Sequence, residues 1–149
     1  MNNIRYFGGK AKIAKYIANY INELGGSIEC NHTHYVEPFC GSCNVASNIN
    51  IKNKTLNDKH PYLIAMFKKL QEGWIPPDKV TEEEYQLVKK EQDEKPHLAG
   101  FIGFACSFAG KYWGGYARDN KGRNYALKGK NSVLKKMKTL QSAKFTCKD

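Results

Sequence analysis

No apolar run in this chain of 149 residues approaches membrane length, since a spanning helix needs about 20 consecutive apolar residues. The first residues lack the basic, apolar, small-residue succession of a secretory signal. Internal repeats and low-complexity tracts are missing as well, which excludes solenoids and compositional linkers. Acidic residues are scarce: 14 Asp and Glu stand against 24 Lys and Arg, a formal charge of +10. Such a field favours polyanionic partners, although a generic basic soluble protein would carry it too. The five cysteines, Cys30, Cys40, Cys43, Cys106 and Cys147, are odd in number and scattered. That argues against a disulfide scaffold and for a reduced, cytoplasmic setting.

What is present fits one globular domain: 41% hydrophobic and 12% aromatic residues in a length that can bury a core. Ile13, Ile17, Tyr20, Ile21 and Leu24 recur at helical spacing, predicting a helix over Lys10–Leu24 that stops at Gly25-Gly26. Tyr35–Phe39 reads as a short buried strand followed by a glycine turn, and Ser42–Ile49 as a helix that starts there. Lys54–Asn57 is a second strand, and Asp58-Lys59-His60-Pro61 opens a helix with Tyr62, Leu63, Met66, Phe67 and Leu70 inward. After the break at Trp74-Ile75-Pro76-Pro77, Thr81 to Glu84 is a capping box for a helix reaching about Gln92. His97–Phe108 reads as a packed helix, Lys111–Lys130 as mostly loop, Ser132–Leu140 as a basic helix and Lys144–Cys147 as the start of a strand. The series predicts the opening of a doubly wound α/β domain whose sheet is incomplete.

Three places carry chemistry. Glu37 ends the first strand before a proline and a glycine turn, where a carboxylate can meet the ammonium or hydroxyl groups of a nucleotide-type cofactor. Gly41 removes the Cβ that would block close backbone approach. The plainer reading is a surface glutamate in a Pro-Gly turn. Asp58 follows the second strand, the position where Rossmann-like folds set an acid against ribose hydroxyls; it is equally placed to cap the following helix. Lys10, after two glycines, can meet a carboxylate or phosphate, or simply be a solvated turn residue. Cys40-x-x-Cys43 invites zinc, with His32 and His34 as the remaining ligands. The Gly41-Ser42 pair sits where a strand-to-helix turn is expected, so no metal site is assigned.

The segment from Lys111 to Lys130 interleaves Tyr112, Trp113, Tyr116 and Tyr125 with Lys111, Arg118, Arg123 and Lys128. Cations suit phosphates, aromatics suit bases, and glycines let the loop approach, so the segment leans towards nucleic acid. The competing reading makes those aromatics part of the core.

In combination and order, several motifs resemble the N-terminal part of a D12-class, Dam-like DNA adenine-N6 methyltransferase of the phage type. YFGGK at Tyr6–Lys10 resembles the family's aromatic-x-G-G-K opening. YVEPFCGSCNV at Tyr35–Val45 resembles its acid-P-F-x-G-x-G cofactor motif, and LND at Leu56–Asp58 its next acidic element. FACSFAGKYWGGYARD from Phe104, with RNY at Arg123–Tyr125, resembles the region that reaches DNA.

The resemblance implies S-adenosylmethionine as cofactor and a Rossmann-like methyltransferase fold with a helical and loop insertion facing DNA. It implies that Tyr6, Phe7 and Lys10 surround the methionine end, that Glu37, Phe39 and Gly41 line the cofactor turn, and that Asp58 takes the ribose hydroxyls. Lys111, Tyr112, Arg118, Arg123, Asn124 and Lys128 become candidates for contact with double-stranded DNA. Residues 1–72 would be the cofactor part, 73–143 the target-recognition part and 144–149 the start of the catalytic strand. Two departures stand out. Cys43 replaces the motif's second glycine, and the sequence has no Asp-Pro-Pro-Tyr, which in the family holds the flipped adenine. No catalytic residue is therefore assigned. The expectation is a cofactor- and DNA-binding portion, inactive alone, in the cytoplasm of a bacterial host, with the missing C-terminal part supplied in the same gene or by a complementing C-terminal polypeptide. The alternative is a non-enzymatic phage protein that keeps a truncated methyltransferase fold to inhibit a host nucleic-acid-targeting defence complex.

Overall fold

The computed structural model describes residues 6–27, 34–118 and 121–149. Three short strands, β1 (His34–Glu37), β2 (Asn53–Asn57) and β3 (Lys144–Thr146), form one parallel sheet in that order. Glu37 pairs with Leu56 and Leu56 with Phe145, so all three strands point the same way and their carboxyl ends lie together. Parallel strands need long crossovers. The second of these, from β2 to β3, contains four helices: α2 (Pro61–Gln71), α3 (Glu82–Lys90), α4 (Pro96–Ala105) and α5 (Tyr125–Leu140). The sheet is mixed with helices as expected, and small and open, with β1 and β3 as its edges.

One buried cluster joins Leu56, Leu63 and Phe67 to Tyr85, Phe101, Val133, Leu140 and Phe145. The expected cofactor and target-recognition parts thus share a core. Phe67 stacks on Phe145 with ring centroids 5.0 Å apart, which seats α2 on the sheet. The predicted α2 stripe is buried at Leu63, Met66, Phe67 and Leu70, while Tyr62 turns outward to stack on Tyr112. Among the described residues no helix is long and apolar enough to cross a membrane.

Several elements differ from expectation. The first helix, α1 (Ala14–Ser27), starts after a turn at residues 11–13 and continues through Gly25-Gly26; glycine weakens a helix by about 1 kcal/mol without forbidding it. Its inward face is set by Ala14 and Ala18, packed with Val45 and Ile49. Ile17 and Ile21 flank them, whereas Ile13, Tyr20 and Leu24 are exposed. No α-helix spans Ser42–Ile49; the chain makes turns and a short 3-10 turn at Ala46–Asn48. Cys43 sits at φ 55°, and Ser47 Oγ and Asn48 Nδ2 both donate to the Asn44 carbonyl, competing with a helical ladder. The capping box at Thr81 and Glu84 is present, and α3 ends at Lys90. Helix α4 ends at Ala105, after which Ser107 bridges to Tyr116. Helix α5 begins seven residues before the expected Ser132, because Asn124 Oδ1 accepts the Leu127 N–H at 2.9 Å and caps it.

Candidate cofactor cavity and basic segment

At the carboxyl ends of β1 and β2 lies a cavity of about 190 Å³. Tyr6, Lys10, Glu37, Phe39, Gly41 and Asp58 all line it, together with Ser42 and Asn44. The strands themselves bring the two acids together: Glu37 is the last residue of β1, and Asp58 follows the last residue of the adjacent β2.

Asp58 is nearly buried and uses both carboxylate oxygens on backbone. Oδ2 accepts the Gly41 N–H at 2.9 Å and Oδ1 accepts the His60 N–H at 3.0 Å. It therefore fixes the glycine turn, while the cap of α2 is His60, whose Nδ1 accepts from Leu63 N at 3.4 Å. Glu37 Oε2 accepts from the Tyr35 hydroxyl and from Ala46 N, both at 3.1 Å. Burial lifts the Glu37 carboxyl above its ordinary range, while these two bonds and the Lys10 and Lys136 cations pull it back. Gly41 has φ +48°, and a Cβ there would lie 3.1 Å from the Tyr6 ring. Glycine is needed on both counts. The Tyr6 phenol, held beside Asp58, is pushed up to about 12, first by burial and then by that carboxylate.

Phe39 is 82% exposed at the rim of this cavity. Phe7 does not line it; its ring is exposed and its N–H donates to the Gly110 carbonyl at 3.0 Å. Cys40 and Cys43 are both buried beside the turn, and burial followed by the neighbouring Cys40 pushes the Cys43 thiol well up. His32 lies outside the described residues, and among those described no group of three or more His, Cys, Asp or Glu is gathered to hold a metal.

The chain belongs to the D12 class N6 adenine-specific DNA methyltransferase family. The family model matches residues 6–102, more than half of the sequence, and the matched span holds all seven cofactor-side candidates. No curated protein matches the chain. Helix α5 and the Lys111–Lys130 segment lie outside the span matched by the family.

The described residues of that segment, 111–118 and 121–130, make specific packing and hydrogen-bond contacts. Tyr112 is half-buried, packs on His60, Tyr62, Phe104 and Trp113, and donates its hydroxyl to Gln92 Oε1 at 3.1 Å. Trp113 Nε1 donates to the same oxygen, and the Tyr116 hydroxyl donates to the Val80 carbonyl at 2.7 Å. The aromatic rings therefore build the core around α3 and α4. Arg118 pairs with Glu82 on the surface. Asn124 caps α5 and donates to the Asp78 carbonyl at 2.8 Å. Arg123 and Asn124 line a second cavity of about 430 Å³, and Lys111 and Lys128 are exposed.

Sequence reasoning missed Lys136. It is 6% exposed, and its ammonium donates to the Ser42 carbonyl and, at 2.7 Å, to Asn44 Oδ1. Burial lowers its pKa to about 8, with Cys43 and Glu37 opposing. In sequence it is one lysine of a basic helix; only its position four residues from the buried Ser132 hints at an inward face.

Proposed function

We propose that this chain is the S-adenosylmethionine- and DNA-binding portion of a site-specific DNA adenine-N6 methyltransferase. The observation that carries this reading is the convergence of Tyr6, Lys10, Glu37, Phe39, Gly41 and Asp58 on one cavity at the carboxyl end of a parallel sheet. Ligands of open α/β sheets bind at that end.

The donor set suits the cofactor's chemistry. Two carboxylates oppose its positive charges and hydroxyls, Lys10 opposes its carboxylate, and Gly41 leaves backbone accessible. In this reading Glu37 holds the ammonium or a hydroxyl, Asp58 takes the ribose hydroxyls while keeping the turn in place, and Phe39 offers an exposed ring face. Tyr6 and Lys10 lie at the methionine end, with Phe7 beside them. When bound, the cofactor supplies an electrophilic methyl group; the residues of the cavity orient it and set its electrostatics. The parallel sheet supports a Rossmann-like arrangement, with α3, α4 and the basic segment as the DNA-facing insertion.

Double-stranded DNA is the second ligand, met by Lys111, Arg118, Arg123, Asn124 and Lys128 mainly through phosphates. No Asp-Pro-Pro-Tyr occurs among these 149 residues; in this reading they bind cofactor and DNA, and methyl transfer uses that element supplied in the same gene or by a second polypeptide. The working compartment is the cytoplasm of a bacterial host.

Isothermal titration of the folded chain with S-adenosylmethionine tests the reading. Saturable binding that weakens in Asp58→Ala supports it. No heat in a folded sample would overturn the cofactor role and leave a fold retained for binding a nucleic acid or a host defence protein.

A further inference from the structure

On the opposite side of the glycine turn, between α1 and α5, lies a separate cavity of about 230 Å³. Lys15, Asn44, Ser47, Ser132, Lys135 and Lys136 contribute to its lining, and among the described residues no carboxylate does. The start of α1 and the whole of α5 are one-sided in charge. Lys10, Lys12 and Lys15 surround the start of α1, and α5 carries Lys128, Lys130, Lys135, Lys136 and Lys138 with no Asp or Glu in its sequence. Lys130 is paired with Asp78 at 2.8 Å, but Lys15 and Lys135 are exposed with no ion pair among the described residues. Lys136 is the buried lysine of the lining. Among the described residues its hydrogen bonds go to Ser42 and Asn44, which engage two of the three donors of an ammonium.

We propose that this cavity is a phosphate site, filled by a backbone phosphate of duplex DNA. Three lysines, two of them exposed and one held in a buried position, meet a tetrahedral oxyanion with charge-assisted hydrogen bonds. Ser132, Ser47 and Asn44 add polar side chains to the lining, with no competing carboxylate among the described residues. Asn44 lines this cavity and the candidate cofactor cavity alike. An anion here therefore touches, through Lys136, the same turn that Asp58 holds from the other side. The choice of DNA as the source of the phosphate rests on the DNA-binding reading above; the anion chemistry of the cavity does not, and neither needs the cofactor.

The test compares Lys15→Ala/Lys135→Ala with Lys68→Ala/Lys69→Ala, which removes the same charge from exposed positions on α2. Binding of a short fluorescent duplex is measured by anisotropy over a salt series. The α1/α5 variant should weaken binding several-fold more than the control and lower the slope of log affinity against log salt by about 0.9 for each phosphate no longer engaged. In a second arm, inorganic phosphate is titrated into the isotope-labelled wild type and the same variant, following the Asn44, Ser132 and Lys136 amides. Saturable shifts in the wild type that vanish in the variant, with unchanged DNA affinity, assign the site to free phosphate rather than DNA. Equal losses of DNA affinity in both variants with no phosphate shifts mean diffuse charge only and overturn the site. Titration of the same wild-type sample with S-adenosylmethionine reports separately on the cofactor reading.

Discussion

The carboxylate of Asp58 accepts the backbone N–H of Gly41 at 2.9 Å, tying the end of β2 to the turn after β1. Its second oxygen holds the His60 N–H at the mouth of α2. One side chain thus sets both the glycine turn and the start of the helix behind it. Asp58→Ala should lower stability by about 1–3 kcal/mol, because two backbone donors are deprived of a charged acceptor, and should weaken S-adenosylmethionine about tenfold or more. Asp58→Asn keeps one acceptor and should fall between. Urea midpoints and calorimetric affinities read the two effects; unchanged values for both in Asp58→Ala would remove Asp58 from the site.

Gly41 and Tyr6 are coupled by space. With φ at +48° and an added Cβ 3.1 Å from the Tyr6 ring, Gly41→Ala carries a left-handed backbone penalty of about 1–2 kcal/mol plus a clash that moves Tyr6. In a double-mutant cycle, Tyr6→Ala should relieve the clash but not the backbone penalty. The coupling energy in thermal or urea unfolding should therefore be favourable and of the order of 0.5–1 kcal/mol. Strict additivity would show that the ring does not rest against the turn.

What the sequence made legible was local. The Thr81–Glu84 capping box, the α2 stripe and the acid at the end of each of the first two strands are written within a few residues, and all are present. What it concealed depended on distant partners. Gly129 read as loop, yet it lies inside α5 because an added Cβ would come within 2.6 Å of the Ala105 Cβ: the glycine allows α4 and α5 to approach. The Ser42–Ile49 periodicity suggested a helix, but Gly41 and Cys43 adopt positive φ around a turn pinned by Asp58 and Lys136. Lys54 falls in the expected second strand and Lys136 in the expected basic helix, with nothing local to mark either as buried. Both are buried, with Lys54 Nζ donating to the Thr139 carbonyl at 3.1 Å.

Glu37 should give cofactor binding an acid limb. Burial raises its carboxyl above the ordinary range, against the opposing pull of Tyr35, Ala46, Lys10 and Lys136. Where the folded pKa of an acid is raised, the unfolded chain releases its proton first, so stability falls as pH climbs from the ordinary glutamate range to the raised value. Cofactor affinity should move the other way through the same window, rising as the carboxylate forms. Glu37→Gln should flatten both profiles and weaken binding at neutral pH. A wild-type affinity independent of pH between 4 and 7 (roughly the span above the ordinary glutamate value) would contradict contact between Glu37 and a cofactor cation.

Lys136 makes the most distinctive pH prediction. Its ammonium is pinned between the Ser42 carbonyl and Asn44 Oδ1, and burial brings its pKa down to about 8. An unfolded lysine releases its proton near 10.4. Below about 8 both states are charged and the fold carries the full burden of a buried cation. Between about 8 and 10 the unfolded state binds more protons, so stability rises with pH, by at most about 1.4 kcal/mol per unit. Burial also raises the Glu37 carboxyl and pushes the neighbouring Cys43 thiol well up. Lys136→Met should remove this rise. It should also leave two buried acceptors unbonded, loosening the turn and weakening cofactor binding at neutral pH. Urea unfolding of both proteins at steps across the window isolates the contribution, because groups common to the two cancel in the difference. Parallel profiles would mean that the Lys136 charge is not buried behind the glycine turn.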